Sequence, residues 1–152
     1  MPSIQQRSVL YSQNFLKNPC LIDQLLNRYN LMPEDTIYEI GPGKGIIIER
    51  LAQRCRQVIA IEKDPCLVEL LHRRFAHVPN ITIHEGDFLQ FRLPISHYKV
   101  FASIPFNITT AIVTRLTTTP VWKGCGREPV RSPICILSLL AQSVTGAVIG
   151  CC

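Results

Sequence analysis

Thr36-Ile37-Tyr38-Glu39-Ile40-Gly41-Pro42-Gly43-Lys44-Gly45 decides the fold. The first five residues are β-branched and aromatic, the composition of a buried strand. Three glycines follow at alternate positions, where a backbone without Cβ can turn sharply or approach a ligand. Ile46 to Arg54 then predicts a helix. An acid, Glu62, stands 21 residues after Gly41, where a second strand would end. An acid at that separation is placed to accept from ribose hydroxyls. The stretch therefore predicts a strand-turn-helix that holds a nucleoside on an α/β sheet. It is Gly-x-Gly-x-Gly, not the Gly-x-Gly-x-x-Gly of dinucleotide sites. It is not a P-loop, because Gly45 follows Lys44 where Ser or Thr is needed. A tight turn with no ligand is the bland alternative.

The pattern repeats outward from this stretch. Asn18 as N-cap, Pro19 at the first helical position and an apolar face of Leu21, Ile22, Leu25 and Leu26 predict a helix over 19–30. Strand one is 36–40 and its helix 44–55. Strand two is Gln57 to Ile61, closing at Glu62. Asp64-Pro65 repeats the cap signature before a helix over 65–76. Strand three is Ile81 to His84 and strand four Lys99 to Ser103. A further helix is expected from near Thr109 to Leu116. Strands alternating with helices imply a parallel sheet with right-handed crossovers. Ligands in such sheets lie beyond the carboxyl ends of the strands. Gly41, Glu62, Asp87 and Ser103 all fall at such ends. Asp87 follows Gly86, so it is also a natural turn residue.

The chain has 152 residues, 47% of them hydrophobic, and a net charge of +5. That length suits one domain with its own core. The mild positive charge suits an anionic partner such as RNA, without requiring one. No apolar run is long enough for a membrane span, and Met1 to Leu10 lacks the core of a secretory signal. Seven cysteines form no regular framework, and reduced thiols are expected at Cys20, Cys55 and Cys66. No zinc-ligand spacing occurs, and the four histidines are scattered. Lys17, Arg50, Arg54, Arg56, Arg73, Arg74 and Arg92 are spread out, as ordinary helix charges are.

After about Pro120 the character changes. Residues 121–152 hold only four charged residues but four of the seven cysteines. Ile134 to Leu140 fits one strand or a short helix. The expectation is a domain over 1–120 followed by a tail, 121–152, out of frame with what precedes it; a loop and a final strand are the bland alternative. Strands missing from the sheet would then leave an edge and apolar surface exposed.

Five motifs occur in one order: Tyr11-Ser12-Gln13-Asn14-Phe15-Leu16, Glu39 to Gly45, Ile61-Glu62-Lys63-Asp64, Gly86-Asp87-Phe88-Leu89 and Ser103-Ile104-Pro105-Phe106-Asn107. The series resembles the ribosomal RNA adenine N6-dimethyltransferase family, over roughly residues 8–116. Within it the chain looks most like the erythromycin-resistance (Erm) methyltransferases of 23S rRNA, with the 16S rRNA enzymes as nearest competitors. The resemblance implies a Rossmann-like, S-adenosylmethionine-dependent methyltransferase sheet and methylation of an adenine N6 in rRNA. It implies resistance to macrolide, lincosamide and streptogramin B antibiotics, a cytoplasmic location and a monomer. Family members are longer and carry a C-terminal helical domain, so a truncated or frameshifted form is expected here.

The resemblance also assigns roles. Asn14 and Leu16 close over the methionine end of the cofactor. Gly41 faces the cofactor, and Gly43 shapes the turn. Glu62 accepts from the ribose hydroxyls. Asp87 accepts from the adenine amino group, with Phe88 beside the ring. Ser103, Ile104, Pro105 and Phe106 form the catalytic motif, with Ser103 also at the cofactor. The family has Asn or Asp where this chain has Ser103. A serine offers one acceptor oxygen on a shorter arm. Weakened methyl transfer is the expectation; a non-catalytic remnant that binds cofactor or RNA is the alternative.

Overall fold

A computed structural model describes residues 19–29, 31–94, 96, 98–104, 106–118, 134–138 and 149–150. In chain order the elements are α1 (Pro19–Asn27), β1 (Thr36–Ile40), α2 (Ile46–Ala52), β2 (Gln57–Glu62), α3 (Pro65–Arg74) and β3 (Ile81–Glu85). They continue with β4 (Lys99–Ile104), α4 (Phe106–Thr118), β5 (Ile134–Ser138) and β6 (Ile149–Gly150). One sheet runs in the order β3-β2-β1-β4-β5-β6. Its first five strands are mutually parallel, and β6 is antiparallel to β5. The Rossmann-like α/β architecture expected from the sequence is the one observed.

The strand order explains where the helices lie. From β1 the chain steps outward to β2 and β3; from β4 it steps the other way to β5. Crossovers keep one hand, so reversing direction moves the connecting helix to the opposite face. Accordingly Ile22 and Leu26 of α1, Ile47, Ile48 and Leu51 of α2, and Leu71 of α3 pack with Ile37, Val58, Ala60 and Phe101 on one face. Ile112 and Leu116 of α4 pack with Tyr38, Ile40, Ile61, Val100 and Ala102 on the other. The alternation of β1, β2 and β4 between the two cores is the period of two of a strand covered on both sides. The reversal between β1 and β4 opens the crevice in which sheets of this kind take ligands.

Element ends differ from expectation for local reasons. Helix α2 starts at Ile46, not at 44, because Gly45 is its N-cap with φ of +80°. Helix α1 ends at Asn27, three residues short of 30, in tighter turns from Arg28 to Leu25 and Tyr29 to Leu26. Helix α3 begins as expected: Asp64 Oδ1 accepts from the Cys66 amide at 2.9 Å, with Pro65 at the first position. Helix α4 starts at Phe106, three residues before Thr109. The β-branched Ile108, Thr109 and Thr110 have modest helix propensity, which hid that first turn.

The tail adds to the sheet. The segment that fitted a strand or a helix is a strand, and Val100 to Ile104 pair in register with Ile134 to Ser138. Strand β4 is therefore interior to the sheet, not an open edge.

At the amino ends of the strands, Asp35 gathers three of them. Its carboxylate takes the Met32 amide at 2.7 Å and Lys99 Nζ at 2.5 Å. Its carbonyl accepts from Arg56 and Gln57. Residues that open β1, β2 and β4 thus share one anchor, opposite the ligand end.

Candidate cofactor site

Gly41 follows β1 and donates its amide to the Ile61 carbonyl at 3.0 Å, extending the β1–β2 ladder by one bond. The turn closes with Gly45 N–H to Pro42 O at 3.0 Å. Gly43 and Gly45 take φ of +58° and +80°, a region that side chains other than glycine rarely adopt. The two glycines then differ. A Cβ on Gly45 would lie 2.6 Å from Phe75 Cε2 and 2.7 Å from Leu71 Cδ2, so α3 packs on the loop at that point. A Cβ on Gly43 would meet nothing within 4 Å. The loop is thus packed from behind at Gly45 and open at Gly43. Arg74 braces it from α3, with Nη1 2.7 Å from the Lys44 carbonyl and its other nitrogen on Glu49.

Glu62 ends β2 almost buried, with 8% of its surface exposed. Its Oε2 accepts from the Gly43 amide at 3.2 Å, and Oε1 from the Lys63 and Asp64 amides at 2.8 and 3.0 Å. One carboxylate thereby fixes the glycine loop to the start of α3. A carboxylate has about four acceptor positions. Three are engaged here, and the long Gly43 contact is the one most easily shared with a hydroxyl.

Gly86 follows β3 and donates to the Glu62 carbonyl at 2.8 Å, which sets Asp87 beside Glu62's strand end. Asp87 Oδ1 accepts from the Leu89 amide at 2.9 Å, and Oδ2 lies 3.3 Å from Lys63 Nζ. The Leu89 hydrogen bond does most to hold this carboxyl below its ordinary range; Lys63 adds to it and slight burial opposes it. Asp87 is therefore an ionised acceptor. Phe88 is 4% exposed and packs with Ile40 and Ile61 in the α4-side core, directly after Asp87.

The fourth strand contributes only backbone to this picture. Ser103 and Ile104 close β4, and Phe106 opens α4. The side chains of residues 103–107 lie outside the described residues, as do Pro105, Asn14 and Leu16.

One acid was overlooked in the sequence. Glu39 is fully buried, and neither of its oxygens has a partner among the described residues. Burial pushes its carboxyl up to about 8, and the nearby Glu62 charge adds to the rise. The available signal was an acid at an inward position of an otherwise apolar strand.

The charged residues mostly satisfy one another. Asp23 of α1 holds Arg50 at 3.1 Å and Arg54 at 2.7 Å, and Arg73 pairs with Glu69. Arg56 donates to Thr36 at 3.0 Å. These are local contacts between neighbouring elements. Cys55 and Cys66 are free thiols, and among the described residues no cluster could hold a metal. No helix among them is long and apolar enough to cross a membrane.

Residues 4–134 match the model of the family described as ribosomal RNA adenine dimethylase. The chain belongs to that family. Among curated ribosomal RNA adenine dimethylase relatives, an rRNA adenine N-6-methyltransferase of Streptococcus sanguinis is 37% identical over 112 residues, covering 73% of this chain and 46% of that protein. One of Lysinibacillus sphaericus is 41% identical over 107 residues, covering 69% and 43%. The chain thus spans a little under half the length of these relatives. Among solved structures, the 23S rRNA methyltransferase ErmE superposes with a TM-score of 0.65 at 32% identity, covering 69% of this chain and 43% of that one. A dimethyladenosine transferase from Plasmodium falciparum gives 0.61 at 25% identity, covering 68% and 38%.

The described residues fit the cofactor that this family resemblance implies. The loop is open at Gly43, two acids stand at adjacent strand ends, and an unpartnered carboxyl lies behind the loop.

Proposed function

We propose that the chain is the cofactor-binding part of an enzyme that methylates adenine N6 in ribosomal RNA, with S-adenosylmethionine as donor. The observation that carries this reading is the meeting of the Gly41–Gly45 loop, Glu62 and Asp87 at the carboxyl ends of three adjacent parallel strands. S-adenosylmethionine, when bound, supplies a methyl group on an electrophilic sulfonium. Glu62 offers oxygen acceptors to a vicinal diol, and Asp87 offers them to an exocyclic amine. Gly41 and Gly43 let the backbone approach the nucleoside. Asn14 and Leu16 are proposed to close over its amino-acid end, by the family resemblance.

Transfer falls to the β4 motif. The N6 amine of adenine is a weak nucleophile, because its lone pair is delocalised into the ring. Acceptors aimed at its N–H groups favour the tetrahedral nitrogen that forms as it attacks. The Ser103 hydroxyl and the Ile104 carbonyl are the acceptors proposed here. Pro105 shapes the motif, and Phe106 stacks on a base turned out of its helix. Ser103 in place of Asn or Asp weakens this step.

The finer reading is 23S rRNA as substrate, and with it macrolide, lincosamide and streptogramin B resistance. Greater identity to ErmE than to the Plasmodium enzyme supports it. A 16S substrate is the rival within the family. A remnant that binds cofactor without transfer is the rival outside it, favoured by Ser103. The test supplies methyl-labelled S-adenosylmethionine with 23S or 16S rRNA and follows label at adenine N6. Label on 23S rRNA supports the reading. Label on 16S rRNA alone replaces the substrate, and cofactor binding without label replaces the enzyme by the remnant.

A further inference from the structure

Glu39 is used by none of these roles. It lies two residues before Gly41, on the face of β1 that carries Ile37, between its register partners Ala60 and Phe101. It is fully buried, and both oxygens lack partners among the described residues. Native interiors rarely leave a buried polar group unsatisfied, and each exception calls for a reason. An isolated ionised carboxylate there is so costly that the group takes up a proton instead.

The surrounding charges do not relieve it. On β2, Glu62 is an anion and opposes ionisation of Glu39. On α1, Asp23 is engaged by Arg50 of α2 and by Arg54. Glu49 of α2 is held by Arg74 of α3, and Glu69 of α3 by Arg73. On β4, Lys99 is bound to Asp35 at the far end of the sheet. Lys63, next to Glu62, is held by Asp87, and Lys44 of the loop is exposed. Among the described residues no cation makes a hydrogen bond to Glu39.

We propose that Glu39 is a proton-exchanging group of the cofactor site: protonated in the unliganded protein, it gives its proton to solvent when a positively charged ligand binds beside the Gly41–Gly45 loop. The inference rests on the reading of this site as one for S-adenosylmethionine, whose ammonium and sulfonium are the cations. The O–H bond breaks, the carboxylate keeps the electron pair, and the buffer takes the proton. A nearby cation favours the charged form of a carboxyl by the same physics that Glu62 uses to disfavour it. A carboxyl pushed up to about 8 is mostly protonated at neutral pH, so the exchange approaches one proton there.

Calorimetry in buffers of different ionisation enthalpy, near neutral pH, counts the protons released on binding. The probes are S-adenosylmethionine, S-adenosylhomocysteine and the neutral 5′-methylthioadenosine. The expected result is close to one more proton released by the wild-type chain than by Glu39→Gln with the first two, and no difference with the third. Equal proton counts in the two proteins overturn the proposal and leave the cofactor reading intact. No binding of any probe overturns both. Should Glu39→Gln not fold, infrared difference spectra of the wild type serve instead. Loss of a protonated-carboxyl band when S-adenosylhomocysteine binds supports the proposal, and its persistence overturns it.

Discussion

Glu39 and Glu62 stand near the carboxyl ends of neighbouring strands of one sheet and live under opposite rules. Glu62 is nearly buried but accepts from three backbone amides, so its negative charge is spread over the loop it organises. Glu39 is completely buried and accepts from none among the described residues. Burial is almost the same for the two; hydrogen-bond supply is not. The difference teaches that the fate of a buried acid is set by the donors the chain brings to it, not by depth alone.

The comparison can be broken most forcefully with pH. Glu39 holds its proton more tightly folded than unfolded, where an ordinary glutamate loses it near pH 4.5. The folded chain therefore binds more protons between that value and about 8. Its contribution to stability is complete below the lower value, falls as pH rises through the window, and is flat above it. A loss on the order of 5 kcal/mol across the window is expected from a shift of this size. Denaturant titrations of the unliganded protein should show that slope, and Glu39→Gln should abolish it. An unchanged slope in the variant would place the titrating group elsewhere.

Gly45→Ala probes the loop that both acids flank. The new methyl must adopt a positive φ and displace Leu71 or Phe75. Strain and overpacking together should cost about 3 kcal/mol in denaturant unfolding. A loss below about 1 kcal/mol would mean that α3 yields freely to the loop.

Glu62→Gln sharpens the contrast. The amide keeps one acceptor oxygen but turns a donor toward the same backbone amides. S-adenosylhomocysteine affinity should fall about 30-fold, in line with loss of hydrogen bonds to a charged group. Unaltered affinity would remove Glu62 from the ribose role. The smallest effect belongs to the fourth strand. Ser103→Asn should raise methyl transfer about tenfold by restoring a longer acceptor. Cofactor affinity should stay as it was, and unchanged transfer would count against the role given to that position.

The fold was legible because its local signals agreed. Asp64-Pro65, the β-branched runs of β1 and β2, and the apolar face of α3 each state one element without help from distant residues. Errors arose where a contact came from far along the chain. Gly45 looked like the first turn of a helix until Leu71 and Phe75 packed behind it. Strand β5 has no period that marks its partner, and its place beside β4 is a tertiary fact. For the site, the order of Gly41, Glu62 and Asp87 along the chain sufficed to bring them to adjacent strand ends. The loneliness of Glu39 could not be read, because it depends on what every neighbour does with its own hydrogen bonds.

The Asp35 anchor has a consequence for the order of assembly. Lys99 reaches it across a sequence separation of 64 residues, whereas β1, β2 and β3 are joined by short crossovers. Contacts of long sequence separation repay their loop-closure entropy late. Strand β4 should therefore dock on a sheet already begun by β1, β2 and β3. Pulse-labelled hydrogen exchange during refolding should find amides of β1 and β2 protected before those of β4; simultaneous protection would refute the sequence. On this account the acids proposed to hold the nucleoside come together first, and the strand that carries the proposed transfer motif arrives as the closing piece.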